Sequence, residues 1–189
     1  DALDDFSRFE QYLVNPTSIN KTAFTKNIQN EFPYQTYLEL ASEYLKLGLK
    51  EDAIKVLDMS PQHDLVAIWK AYLNESTSAL DQIKNETPYF IFPFRSEDVE
   101  VLNWAIEHND HWTFKYYLGL VYWHLGRKKD AKDLFLRCGE TPRFAPFYIS
   151  RANLQQGEKI ELVEKDLQKA VTISPQEWRN WDKLIHLFA

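Results

Sequence analysis

The spacing of apolar residues along the chain is that of amphipathic helices. The segment that ends the chain is one example, since its large side chains fall on one side of a helix at Trp178, Trp181, Ile185 and Phe188. No alternation of apolar and polar residues is long enough to build a sheet. The pattern predicts helices over about 4–13, 18–29, 35–47, 51–58, 64–73, 76–84, 96–108, 111–125, 128–137, 144–155, 159–173 and 175–189. Ser18 is the predicted N-cap of the second helix.

An internal repeat appears when the chain is shifted by 78 residues against itself, which aligns 37–57 with 115–135. The pair Ala41/Gly119 is small in both copies, as expected where two helices approach closely. Glycine ends the first helix of each copy because it tolerates the left-handed conformation common at such ends. The identical pairs are Leu40/Leu118, Tyr44/Tyr122, Leu47/Leu125, Gly48/Gly126, Lys50/Lys128, Asp52/Asp130 and Ala53/Ala131.

The repeated order resembles the signature of the tetratricopeptide (TPR) helix–turn–helix repeat. One copy carries it at Leu118, Gly119, Tyr122, Gly126, Ala131, Phe135 and Cys138, the other at Leu40, Ala41, Tyr44, Gly48, Ala53, Leu57 and Ser60. Two weaker units carry traces of it at Val66, Ala67, Ala79 and Ile83, and at Leu167, Ala170, Ile173 and Pro175. The resemblance implies an all-α fold, a right-handed superhelix of antiparallel helix pairs (a TPR-like α-solenoid).

The predicted organisation is one continuous domain. Residues 1–34 form N-terminal capping helices, and residues 35–189 form the repeats, interrupted by an aromatic insert at 88–95. The opening Asp1-Ala-Leu-Asp and the stretches at 36–41, 89–95 and 117–126 also resemble the C-terminal TPR region of an uncharacterised bacterial family. In that family a galactose-mutarotase-like β-sandwich precedes the repeats. The chain is therefore expected to be a fragment of a longer bacterial protein of the cytoplasm or periplasm, with the compartment left open.

Composition and charge narrow the function. A net charge of -6 and a pI of 5.4 argue against nucleic acid as a ligand, and apolar runs are too short to cross a membrane. The single cysteine, Cys138, is expected to pack in the core, and the break between His108 and His111 argues against a metal site. No phosphate loop or catalytic grouping is present in the sequence. We expect no enzyme activity and no cofactor.

A binding surface is the remaining expectation. In TPR proteins the first helix of each pair lines the concave side, and here those positions are occupied by Leu38, Ser42, Leu45, Lys46, Tyr116, Leu120, Trp123 and His124. These side chains favour an apolar or stacking ligand over acidic tails, or else pack against the next repeat. In the insert, either Phe90, Phe92 and Phe94 fill a gap between repeats, or they dock a domain or sugar beside Arg95.

The function predicted from these features is a non-catalytic scaffold that binds a protein or another domain of its own chain. The alternative is an accessory domain of a carbohydrate-active or sugar-binding protein. Weak self-association through the last helix is a further expectation, because that helix presents large apolar side chains with no following partner helix.

Overall fold

A computed structural model describes residues 4–155, 157 and 159–188 of the chain. All its regular elements are helices, so the predicted all-α class is confirmed for this part of the chain. The helices group into two compact units, which divide after Ser76. The division into a capping segment and repeats stays a prediction, and the first three residues of the opening resemblance, Asp1 to Leu3, lie outside the described residues.

The first unit contains five helices: α1 (Asp5–Val14), α2 (Ser18–Thr25), α3 (Pro33–Lys46), α4 (Lys50–Leu57) and α5 (Asp64–Leu73). Helices α1 and α2 pack together, and so do α3 and α4. Aromatic rings join the two pairs, because Phe9 lies 5.4 Å from Tyr44 and Phe24 lies 5.6 Å from Tyr37. Thr17, not Ser18, is the N-cap of α2, since its hydroxyl accepts from the Asn20 amide.

The second unit begins with a 3-10 helix (Thr77–Gln82) where the sequence predicted an α-helix over 76–84. Only Leu80 of this segment is buried, so packing does little to hold a longer helix. Six α-helices follow: α6 (Asp98–His108), α7 (Trp112–His124), α8 (Lys128–Arg137), α9 (Ala145–Leu154), α10 (Ile160–Ile173) and α11 (Trp178–His186). Each packs on the next along the chain.

The two best repeat copies form the same hairpin. Gly48 and Gly126 have φ angles of 78° and 77°, in the left-handed region where glycine has no steric penalty. The following amides, of Leu49 and Arg127, donate to the carbonyls of Tyr44 and Tyr122, five residues back, at 2.9 and 2.8 Å. This is the Schellman arrangement, which ends one helix and turns the chain into the next.

Gly119 sets the distance between α7 and α8. A Cβ atom placed on it would lie 2.3 Å from Cε1 of Phe135, whose ring is fully buried. The corresponding positions of the first hairpin are Ala41 and Leu57, both buried. A smaller residue on the first helix thus faces a larger one on the second. These features define stacked helical hairpins of the TPR type within each unit.

Candidate functional site

The aromatic insert exposes its phenylalanines. Ile91 is only 6% exposed and Pro93 is buried, whereas Phe92 is 56% and Phe94 38% exposed. Successive side chains of an extended segment point to opposite sides, so the chain from Ile91 to Phe94 alternates between interior and surface. Phe90 is exposed as well. The hypothesis that the three phenylalanines fill a gap is therefore wrong, because Ile91 and Pro93 take the inward positions.

Hydrogen bonds hold the insert near both of its ends. Before it, the Glu86 carboxylate accepts from Nε1 of Trp112 at 3.2 Å and lies 3.2 Å from Nε2 of His111. His111 caps α7, accepting from the Thr113 amide, and burial lowers its pKa. At the far end, the Arg95 amide donates to the buried Asp98 carboxylate at 3.3 Å. The insert is thus fastened to the start of α7 and to the start of α6.

The exposed rings form one side of a cleft against α7. The cleft has a volume of about 320 Å³ and is lined by Phe92, Pro93, Phe94, Leu120 and His124. The Phe94 ring meets His124 edge to face at 5.6 Å. The guanidinium of Arg95 lies 5.2 Å from the centre of the same ring, within range of a cation–π contact. The cleft therefore combines apolar walls with a cation beside its rim.

Two of the residues chosen from the sequence, Leu120 and His124, line this cleft, and a third, Arg95, lies beside the Phe94 ring. Tyr116, from the same helix, belongs to the interior, where its ring lies 5.4 Å from Phe135 and 5.6 Å from Phe147. Burial raises the pKa of Tyr116 to about 12.

Trp123 is half-buried, with its ring edge-on to Phe135 at 6.5 Å. For Tyr116, packing within the repeats is thus the better of the two interpretations, whereas the role of Trp123 stays open.

The four candidates in the first unit have different environments. Leu38 is fully buried and Ser42 is 5% exposed, so neither offers much surface to a ligand. Leu45 is half-buried, and Lys46 is exposed with its ammonium 2.8 Å from the Glu43 carboxylate. The cleft described above is built entirely from residues of the second unit, and a role for these four in binding stays a prediction.

The environment of Cys138 is that of a core thiol. It is 3% exposed, and its Sγ donates to the carbonyls of Leu134 at 3.3 Å and Trp112 at 3.5 Å. Burial raises its pKa to about 12, which keeps the thiol protonated and unreactive at neutral pH. Among the residues described, no three His, Cys, Asp or Glu side chains are grouped to hold a metal ion, and no helix is long and apolar enough to cross a membrane.

Sequence reasoning left open whether Phe92 and Phe94 fill a gap between repeats or present a docking surface. The segment from Tyr89 to Phe94 is apolar at every position, so hydrophobicity alone cannot separate its two sides. Phe90 has a φ of 61°, which also breaks the simple alternation that an extended segment would follow. No residue type in the segment marks the side that faces the interior, because proline, found here at the buried positions 88 and 93, is mostly exposed in proteins.

The geometry defines an all-α helical-repeat protein with an aromatic cleft. No protein-family model matches the chain, and no curated protein matches it. Several solved structures resemble it, and two of them are of MamA. One is MamA, from residue 41 to the end, of Desulfovibrio magneticus RS-1, at 17% identity, covering 81% of this chain and 82% of that one, with a TM-score of 0.45. The other is a crystal structure of MamA protein at 21% identity, covering 93% and 92%, with a TM-score of 0.42.

Proposed function

We propose that the chain is a non-catalytic interaction module, whose aromatic cleft binds a partner protein or another domain of the same polypeptide. The observation that carries the proposal is the exposure of Phe92 and Phe94 on a segment fastened near both ends. Folding ordinarily buries such rings. Each removes roughly 150–250 Å² of apolar surface from water, and this stabilises the fold by about 25 cal/mol per Å². Their position beside Leu120 and His124 makes a concave surface rather than scattered exposure.

The backbone of the insert supports the same interpretation. Phe90 adopts a left-handed conformation at φ 61°, which costs an L-residue about 1–2 kcal/mol. Strain of this kind persists where the surrounding contacts impose it, and it is enriched at binding sites. Phenylalanine also loses little conformational freedom on binding, because only two side-chain torsions are fixed. A rigid, presented aromatic edge is suited to docking.

The dimensions of the cleft favour a protein ligand that inserts one or two apolar side chains. A volume of about 320 Å³ is at the lower end of the range for small-molecule pockets.

Affinity purification from the source cells tests the proposal. The tagged chain, the double variant Phe92→Ser/Phe94→Ser and a control, Val14→Ser, would be compared by quantitative mass spectrometry. Val14 is 85% exposed and lies in the other unit, so the control removes an exposed apolar side chain elsewhere. We expect a partner enriched by the wild type and by the control to be lost from the double variant. An unchanged set of captured proteins would contradict the proposal.

Two supporting measurements complete this test. Because part of each ring is buried, more so at the 38% exposed Phe94, their replacement by serine is expected to lower the thermal unfolding midpoint, and circular dichroism verifies that the double variant is still folded at the temperature of the purification. A glycan array on the chain addresses the carbohydrate alternative. Saturable sugar binding that Phe92→Ser/Phe94→Ser abolishes would replace a protein partner with a sugar at the same cleft.

A further inference from the structure

Two helices of the chain begin with a histidine as their N-cap. At the start of α5, Nδ1 of His63 accepts from the Leu65 amide at 3.2 Å. At the start of α7, Nδ1 of His111 accepts from the Thr113 amide in the same way. An imidazole nitrogen can accept a hydrogen bond only when it carries no proton. Each cap therefore requires a neutral ring whose proton is on Nε2.

The His111 ring can keep its place when it is charged. Its Nε2 lies 3.2 Å from the Glu86 carboxylate, and its Nδ1 contacts the Thr113 hydroxyl oxygen. Both oxygens can accept from the two N–H groups of a protonated imidazole. Burial lowers the pKa of His111, and the Glu86 carboxylate opposes that effect, whereas the Lys84 and Lys115 ammonium groups add to it. The start of α7 thus holds an acceptor for each ring nitrogen.

The surroundings of His63 suit only the neutral ring. Its Nε2 is buried and has no hydrogen-bond partner among the residues that the structure describes. Leu65 occupies the position that Thr113 has in α7, and its side chain cannot accept a hydrogen bond. Burial lowers the pKa of His63 to about 4, although the neighbouring Asp64 carboxylate acts in the opposite direction. A proton added to this ring therefore finds no acceptor.

The same ring joins α5 to α3. It stacks on Tyr34 in the first turn of α3, with ring centres 3.4 Å apart and planes inclined by 10°. The His63 carbonyl also accepts from the Ala67 amide at 3.0 Å, which begins the helix. Farther along α5, the Lys70 ammonium pairs with the Asp58 carboxylate at the end of α4, at 2.5 Å. The first turn of α5 thus depends on His63, whereas later turns have a separate attachment.

We propose that His63 is an acid-sensitive cap, whose protonation releases the first turn of α5 from α3. A proton on Nδ1 would face the N–H of Leu65, so two donors meet and the ring has to leave its place. The stack on Tyr34 is lost in the same step, because one ring makes both contacts. Acid therefore opens the start of α5 more readily than the start of α7. This opening takes place within the first unit and does not depend on the aromatic cleft.

The size of the effect follows from the pKa of His63 in the two states. In the opened turn the pKa returns to its ordinary value near 6.5, so a change from pH 7.0 to 5.0 favours opening by up to about 20-fold. Solvent screening at this half-buried ring reduces the factor, and we expect about tenfold. Exposed carboxylates titrate mainly below this pH range, so histidine protonation dominates the change.

Amide hydrogen exchange, resolved by NMR on the full chain at pH 7.0 and 5.0, tests the proposal. Protection factors, which remove the intrinsic pH dependence of exchange, are compared for wild type, His63→Asn and the control His108→Asn. Asparagine offers a capping oxygen that does not titrate, and His108 is exposed at the end of α6. We expect the protection of the Leu65 and Ala67 amides to fall about tenfold in wild type and control. In His63→Asn it should fall less than twofold.

The second cap and the ring itself give independent checks. From pH 7.0 to 5.0 the start of α7 should lose less protection than the start of α5, and Glu86→Gln should increase that loss. Nitrogen chemical shifts of the His63 ring should report a proton on Nε2 at pH 7.0. An equal loss of protection in His63→Asn, or an equal loss in the middle of α3, would overturn the proposal. So would a proton on Nδ1 of His63 at pH 7.0, or an unchanged α7 in Glu86→Gln.

Discussion

The close contact between Gly119 and Phe135 gives a quantitative test of how the hairpins are built. Alanine at position 119 gains about 1 kcal/mol of helix propensity over glycine. Its Cβ, however, would lie 2.3 Å from a ring carbon of Phe135, and this ring is fully buried, so it cannot turn away freely. Overpacking of a core typically costs 1–3 kcal/mol, and we expect the upper end here. Gly119→Ala should therefore lower the free energy of unfolding by about 2 kcal/mol.

The first hairpin suggests the compensating change, because there Ala41 stands opposite Leu57. Phe135→Leu alone should cost about 1 kcal/mol for the lost buried volume. In the double variant the overlap is removed and the helix gain remains, so its stability should lie within about 1 kcal/mol of wild type. Urea denaturation of the four proteins gives the coupling free energy, which we expect to be about 2–3 kcal/mol in the favourable direction.

The control pairs Gly119→Ala with Leu136→Ala, a change at the neighbouring but exposed position. These two effects should add within about 0.5 kcal/mol. Additive behaviour of Gly119→Ala and Phe135→Leu would refute the reasoning, because it would mean that the two side chains do not share the same space. A stabilised Gly119→Ala protein would refute it equally.

Three further predictions concern stability, measured by chemical denaturation. Gly126→Ala should lower the free energy of unfolding by about 1 kcal/mol, because no atom obstructs the added Cβ and only the φ of 77° disfavours it. Glu75 has a positive φ of 53°, so Glu75→Gly should raise the free energy of unfolding by about 0.5–1 kcal/mol. Burial lowers the pKa of His63 to about 4; folding then excludes a proton that the unfolded chain binds below pH 6.5. Stability should therefore fall from pH 6.5 to 4 by roughly 1–2 kcal/mol, because solvent screens part of the effect at this partly exposed ring, and by less in His63→Asn. Arg151→Met should lower the free energy of unfolding by about 3–5 kcal/mol. The change leaves the buried Asp166 carboxylate, which lies 2.6 Å from the guanidinium in the wild type, without its cation, and Asp166→Leu in the same chain should restore part of the lost stability.

The hairpins were predictable because their determinants are local. A glycine at the end of a first helix is required by a left-handed φ, and Gly48 and Gly126 meet that requirement with the same hydrogen bonds. The small-to-large pairing is likewise visible in the sequence as Ala41/Gly119 against Leu57/Phe135. The structure adds the distance between them, which depends on how closely two helices approach and cannot be read from spacing.

The binding residues on α7 were harder to predict because this helix is buried on nearly every side. All residues from Trp112 to Gly119 are buried, so the helix has no polar face to mark its orientation. Tyr116 consequently looked like a groove residue and proved to be interior. The insert posed the same difficulty in an extended segment, where the inward Ile91 and Pro93 are as apolar as the outward phenylalanines.

The central claim is that Phe92 and Phe94 are covered by a partner in the cell. Site-specific photo-crosslinking measures this directly. p-Benzoylphenylalanine, which adds a photoreactive benzoyl group to the native ring, replaces Phe92, and in the comparison it replaces the exposed Val14. The account predicts one discrete adduct from position 92, absent from position 14 and lost when Phe94→Ser is introduced in the same chain. No adduct from position 92, or the same adducts from both positions, would contradict it.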